Sequence, residues 1–231
     1  LGAAILVATL FVTFTPNTLS GGLNDQLAAL LTSQPDAVVT LPGTPRPQIK
    51  IGIVSGHLGN DSGAVCDNGT TEQDVNHKIA LLVQQKLAAL GFESDLLDEF
   101  DSRLSGYQAA VLVSIHNDSC KFINDQATGF KVAAAMSSRD TNLANRLAGC
   151  LRDRYQFTTK MPLHNSVTND MTLYHAFSEI DPSTTAAIIE TGFLKLDYEM
   201  LTNNTDLVAT GVVKGIVCFI NNENIAPTPT P

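Results

Sequence analysis

Residues 109–115, Ala-Ala-Val-Leu-Val-Ser-Ile, form a nearly unbroken apolar run. Such a run has no polar side to turn to water, so as a strand it must be covered on both faces. A half-solvated antiparallel sheet cannot satisfy that demand, whereas a parallel sheet between helices can. The flanking sequence supplies the parts. Residues 49–54 read as a strand, 74–90 as a helix ending at Gly91, and 92–97 as a weaker strand. After the central run come a strand at 129–136, a helix at 140–155, a short buried strand at 186–189 and a closing helix at 206–220. This alternation predicts one α/β domain over residues 49–222, with a single mostly parallel sheet and helices on both faces.

The ends differ in character. From Gly2 to Phe14 every residue is apolar or small except Thr9 and Thr13. At about 1.5 Å per residue the run spans roughly 20 Å, short of the ~30 Å hydrocarbon core. It is a signal-peptide core, a buried helix, or the outer part of a membrane helix whose start lies upstream; a chain opening on Leu1 is expected to lack upstream residues. No Lys or Arg follows the run until Arg46, as expected for an outside flank, which favours a retained helical anchor over residues 1–15. Residues 16–48 read as a short helix and a linker carrying Pro35, Pro42, Pro45 and Pro47, and 223–231 as a Pro/Thr tail. A net charge of -9 argues against a surface that tracks phosphates, so nucleic acid is not an expected partner.

In open α/β sheets, sites form beyond the carboxyl ends of the strands. His57 follows the first strand, His116 closes the central run, Glu190 closes the last strand, and Glu72 precedes the first long helix. Two histidines and a carboxylate are a common ligand set for catalytic zinc, which keeps a fourth position open. A second carboxylate nearby can carry protons between water and a leaving amine. The ligands are scattered and form no HExxH-type motif, so spacing alone leaves a metal site and satisfied polar residues at the sheet edge as equal readings.

The stretches SGHLGNDSGA, GTTEQDVNHKIALLVQQKLAALGF, LVSIHND and AAIIETGFL occur in that order. Together they resemble the zinc-dependent N-acetylmuramoyl-L-alanine amidases of the amidase-3 type, over about residues 50–221. The resemblance implies that His57, Glu72 and His116 bind Zn2+ and that Glu190 is the catalytic carboxylate. It further implies a peptidoglycan substrate, cut at the amide between N-acetylmuramic acid and L-alanine. Three departures stand out. The family's usual Asp-Pro-Gly-His-Gly-Gly is Val54-Ser55-Gly56-His57-Leu58-Gly59 here, Asn117 and Asp118 follow the second histidine, and Lys195-Leu196-Asp197 replaces Ser-Asn-Pro. None removes a ligand, so they bear on substrate fit and regulation.

This reading places the protein outside the cytoplasm, anchored to the membrane of a bacterial cell envelope, with a membrane-protein partner as a further expectation for the apolar segment. Two alternatives remain: a zinc peptidase acting on another amide, and an accessory subunit of a membrane assembly that retains an amidase-like domain. Cys66, Cys120, Cys150 and Cys218 are four thiols or two disulfides. Cys66–Cys120 is the natural pairing if both histidines meet one metal, with Cys150–Cys218 joining two helices. His77 is expected to be an exposed helix residue. His164 and His175 fall in the long segment 157–185, which should arch over the sheet rim. Asp61, Asp67 and Asp118 are either partners that orient the imidazoles or turn residues.

Overall fold

A computed structural model describes residues 49–225, so the anchor expected over 1–15, the linker to residue 48 and the tail beyond 225 lie outside the described residues. The elements run β1 (Lys50–Ser55), α1 (Glu72–Ala89), β2 (Glu93–Leu97), a 3-10 turn (Ser102–Leu104), β3 (Val111–Asp118), β4 (Lys131–Ala134), α2 (Thr141–Thr159), α3 (Asn169–Thr172), α4 (His175–Glu179), β5 (Thr185–Phe193), α5 (Tyr198–Asn203) and α6 (Thr205–Ile220). The sheet has the order β2-β1-β3-β5-β4. Neighbours pair in parallel except β4, which runs antiparallel on β5 at the edge. The mostly parallel sheet expected from the sequence is therefore present. The central run is its middle strand, flanked by β1 and β5.

Side chains alternate between faces along a strand, and that alternation sorts the core in two. Ile51, Ile53, Val111, Val113, Ile115, Ala187 and Ile189 face the long helices, packing with Ile79 and Val83 of α1, Leu147 and Leu151 of α2, and Val212 and Ile216 of α6. Val54, Leu112, Ala133, Ala186 and Ile188 face the other way, under Leu104, Met171, Tyr174, Phe177 and Ile180. Both faces are covered, but one by three long helices and the other by short turns of chain.

Local chemistry sets the boundaries. Helix α1 begins at Glu72, two residues earlier than the sequence suggested, because Thr71 caps it by accepting the Asp74 N–H at 3.1 Å. It ends where Gly91 adopts φ 83°, letting the Gly91 N–H reach the Ala88 carbonyl and the Phe92 N–H the Leu87 carbonyl. Helices α2 and α6 meet closely at Gly215, where a Cβ would sit 2.7 Å from the Leu151 Cα. The Cys150–Cys218 disulfide joins the same two helices, and Cys66–Cys120 ties the loop before α1 to the segment after β3. The two expected pairings are thus both formed. Among the described residues no helix is long and apolar enough to cross a membrane.

Candidate active site

His57 stands on the turn that leaves β1, with its backbone in the left-handed region at φ 66°. That conformation is strained for a residue with a Cβ, and such strain concentrates at functional positions. Its ring is oriented by Asp61, whose Oδ1 lies 2.6 Å from Nδ1. A carboxylate can only accept, so Nδ1 carries the proton and Nε2 is left facing inward. Asp61 is itself pinned by the Gly63 N–H at 2.7 Å, and that bond, with His57, holds its pKa below the usual range.

The inward nitrogens converge on one oxygen. His57 Nε2 is 3.2 Å and His116 Nδ1 3.3 Å from Glu72 Oε1. One offered atom from each of the three residues lies within 4.8 Å of the other two. The glycines of the first motif make this crowding feasible. A Cβ on Gly56 would come within 2.4 Å of the His116 ring, and one on Gly63 within 2.7 Å of Glu72 Oε2.

A buried amide network fixes Glu72 from behind. The Asn76 side-chain N–H donates to Glu72 Oε1 at 3.3 Å and to the Gly56 carbonyl at 3.1 Å. Asn117 donates its side-chain N–H to Asn76 Oδ1 at 2.7 Å and accepts from the Thr191 hydroxyl. Asn117, a departure from the family pattern, thus braces Glu72 through Asn76.

Glu190 pairs in register with His116, and the period of two puts both on the face beneath Met171 and Tyr174. The sequence places these two residues at strand ends; in fact β3 continues to Asp118 and β5 to Phe193, with a register shift between them. Lys131 lies opposite Glu190 on β4, and its ammonium bonds Asp118. The resulting cleft, about 570 Å³, is lined by the four expected residues, by Glu99 and Lys131, and by Met171, Tyr174 and His175 of the overlying segment.

The charges are strongly coupled. Burial disfavours the Glu72 anion, yet the His116 and His57 rings hold its pKa well below normal. Burial likewise opposes a charged His116, but Glu72 and Glu99 outweigh it and lift its pKa to about 10. Glu190 moves the other way. Burial, only partly offset by His116, pushes its pKa up to about 7, and among the described residues its buried Oε2 has no hydrogen-bond partner. Two acceptors of protons and two imidazoles in one cleft thus have widely separated affinities, the pattern of a site that moves protons.

Several residues fall differently from expectation. His77 is half-buried on α1 rather than exposed, while Asp67 pairs with Lys195 at 3.3 Å. His164 bonds Ser166 and does not line the cleft, whereas His175 does. Sequence reasoning overlooked Glu99 and Lys131, both nearly inaccessible to solvent. Glu99 could have been found by applying the strand-end rule to β2 as well. Lys131 had the weaker signal of a charge at the start of an apolar strand.

Residues 51–218 match the model of a protein family described as N-acetylmuramoyl-L-alanine amidase. No curated protein sequence matches the chain. Among solved structures, the N-acetylmuramoyl-L-alanine amidase from Clostridium difficile 630 superimposes with TM-score 0.60 at 22% identity, covering 78% of this chain and 100% of that one. The CwlD amidase of Clostridioides difficile, solved with the GerS lipoprotein, gives TM-score 0.60 at 20% identity, over 76% and 100% of the two chains. AmiC2 of Nostoc punctiforme gives 0.57 at 21% identity, over 75% and 98%. At these identities the likeness speaks for the fold.

Proposed function

This chain belongs to the N-acetylmuramoyl-L-alanine amidase family, and on that premise we propose that it is a zinc-dependent enzyme hydrolysing the amide between N-acetylmuramic acid and L-alanine in peptidoglycan. The observation that carries the reading is the meeting of two imidazole nitrogens on Glu72 Oε1, with Glu190 beside them on the same sheet face.

The donor set fits the metal. Atoms bound about 2.0–2.2 Å from a tetrahedral zinc lie about 3.3 Å from one another. The two spacings on Glu72 Oε1 are 3.2 and 3.3 Å. Protons on the imidazoles satisfy the same contacts, and a cation would replace those protons on binding. His57, Glu72 and His116 would therefore hold the ion. When bound, zinc supplies a Lewis acid that polarises a carbonyl and makes water acidic near pH ~7.

The chain's own residues do the rest. Asp61 and the Asn76–Asn117 pair hold the ligand side chains in place. Glu190, whose Oε2 has no hydrogen-bond partner among the described residues, takes the proton of the attacking water. It then delivers that proton to the amine of L-alanine as the C–N bond breaks, leaving a carboxylic acid on the lactyl group, which gives up the water's second proton to the released amine and becomes a carboxylate. Met171 and Tyr174 wall the cleft against bulk water. Peptidoglycan lies outside the cytoplasm, and two disulfides suit an oxidising compartment. The apolar run over residues 2–14 serves in this reading as the anchor.

Metal analysis tests the centre. The purified protein is expected to carry one zinc per chain, and His116→Ala to lose it, since two remaining ligands rarely hold zinc firmly. Full zinc content in folded His116→Ala would remove His116 from the site.

A further inference from the structure

One buried carboxylate in the cleft has no part in the scheme above. Glu99 follows β2 and is 6% exposed, and burying a carboxylate there is costly without close partners. Its partners are specific. The Glu99 N–H donates to the Leu58 carbonyl at 3.0 Å, and its Oε2 accepts the His57 N–H at 2.7 Å. Glu99 thus grips both residues of the strained turn, main chain to main chain at Leu58 and side chain to main chain at His57.

The same oxygen faces a second ligand. His116 directs Nδ1 at Glu72 and buries Nε2, which has no hydrogen-bond partner among the described residues. Glu99 Oε2 is 3.5 Å from that nitrogen, an electrostatic contact rather than a full hydrogen bond. A carboxylate behind the outer nitrogen of a ligating histidine fixes its tautomer and strengthens it as a donor. Glu99 is in turn held from the overlying segment. His175 Nε2 lies 3.1 Å from Oε1, its Nδ1 is 2.8 Å from Glu179, and its ring stacks on Phe100.

We propose that Glu99 is a positioning residue for the metal centre: it fixes the main chain of His57 and backs the outer nitrogen of His116, while His175 holds it from across the cleft. The inference rests on the metal reading of His57, Glu72 and His116. It makes the overlying segment part of the metal site's support through His175, beside Tyr174, whose ring meets the His116 ring edge-on at 5.5 Å.

Zinc affinity, measured by competition with a chromogenic chelator, tests it without relying on turnover. Glu99→Gln is the decisive variant, because it keeps the size and one acceptor oxygen but loses the charge. We expect zinc to bind at least about tenfold more weakly, within the 10–100-fold range usual for such partners. Thermal unfolding of the metal-free variant should stay close to that of the parent. His175→Gln should weaken zinc less, and added zinc should restore hydrolysis in both. Parental zinc affinity in Glu99→Gln overturns the proposal, as does a lower melting temperature with zinc binding unchanged. If the parent protein itself fails to bind zinc, the metal reading falls, and this inference with it.

Discussion

At the scale of single residues, Glu190 separates metal binding from chemistry. Glu190→Gln leaves every proposed ligand intact, so zinc content should hold while stem-peptide release falls about 10²–10⁴-fold, the usual contribution of a positioned base. Its pKa carries a second expectation. Burial lifts it to about 7 in the metal-free protein, so folding retains a proton there. The stability this provides is complete below the ordinary carboxylate range and is lost as pH rises through about 7. Glu190→Gln cannot ionise, so its metal-free form should melt higher than the parent's at about pH 8, with little difference near pH 4. Equal melting temperatures at both values would mean that the carboxyl is well solvated. The sequence revealed His57, Glu72, His116 and Glu190 because strand-end placement and four motifs coincide on them. Glu99 and Lys131 escaped because their meaning lies in contacts made across the fold. Glu99 follows a strand whose Ser94 and Asp95 are half-exposed, and Lys131 meets Asp118 only once β4 pairs with β5.

Among the elements, β1, α1, β3 and α6 could be read closely because a threonine cap, a glycine stop and apolar runs mark them locally, whereas α2 runs past the expected residue 155 to Thr159. The direction of β4 could not, since pairing sense is decided by the partner strand. Helices α3, α4 and α5 were also missed. They are short, lack side-chain caps, and are fixed by burying Met171, Phe177 and Leu201. The Cys66–Cys120 bridge makes a testable claim at this scale. It spans a sequence separation of 54 and ties the loop between His57 and Glu72 to the segment that follows His116 on β3. Replacing both cysteines by serine should cost about 2–5 kcal/mol in urea unfolding. It should also weaken zinc binding, because the proposed ligands then belong to segments that are no longer cross-linked. Removal without loss of stability would show that the core alone holds the loop.

For the whole molecule, the nearly unbroken apolar run over residues 109–115 was enough to call for a sheet covered on both faces, and the alternation around it pointed to mostly parallel pairing. The unequal cover was not legible, because segment 157–185 carries no strong period of its own. That inequality positions the site: the long helices close one face, and the thinner cover of the other leaves a cleft at the strand ends, where His116 and Glu190 point. The account's central claim is that this cleft cuts one particular amide. Labelling of the free amines released from purified peptidoglycan tests it most directly. New amino-terminal L-alanine is expected, and it should disappear when the enzyme is stripped of metal by a chelator and return when zinc is restored. New amino termini other than L-alanine, or undiminished release by fully metal-free enzyme, would contradict that claim.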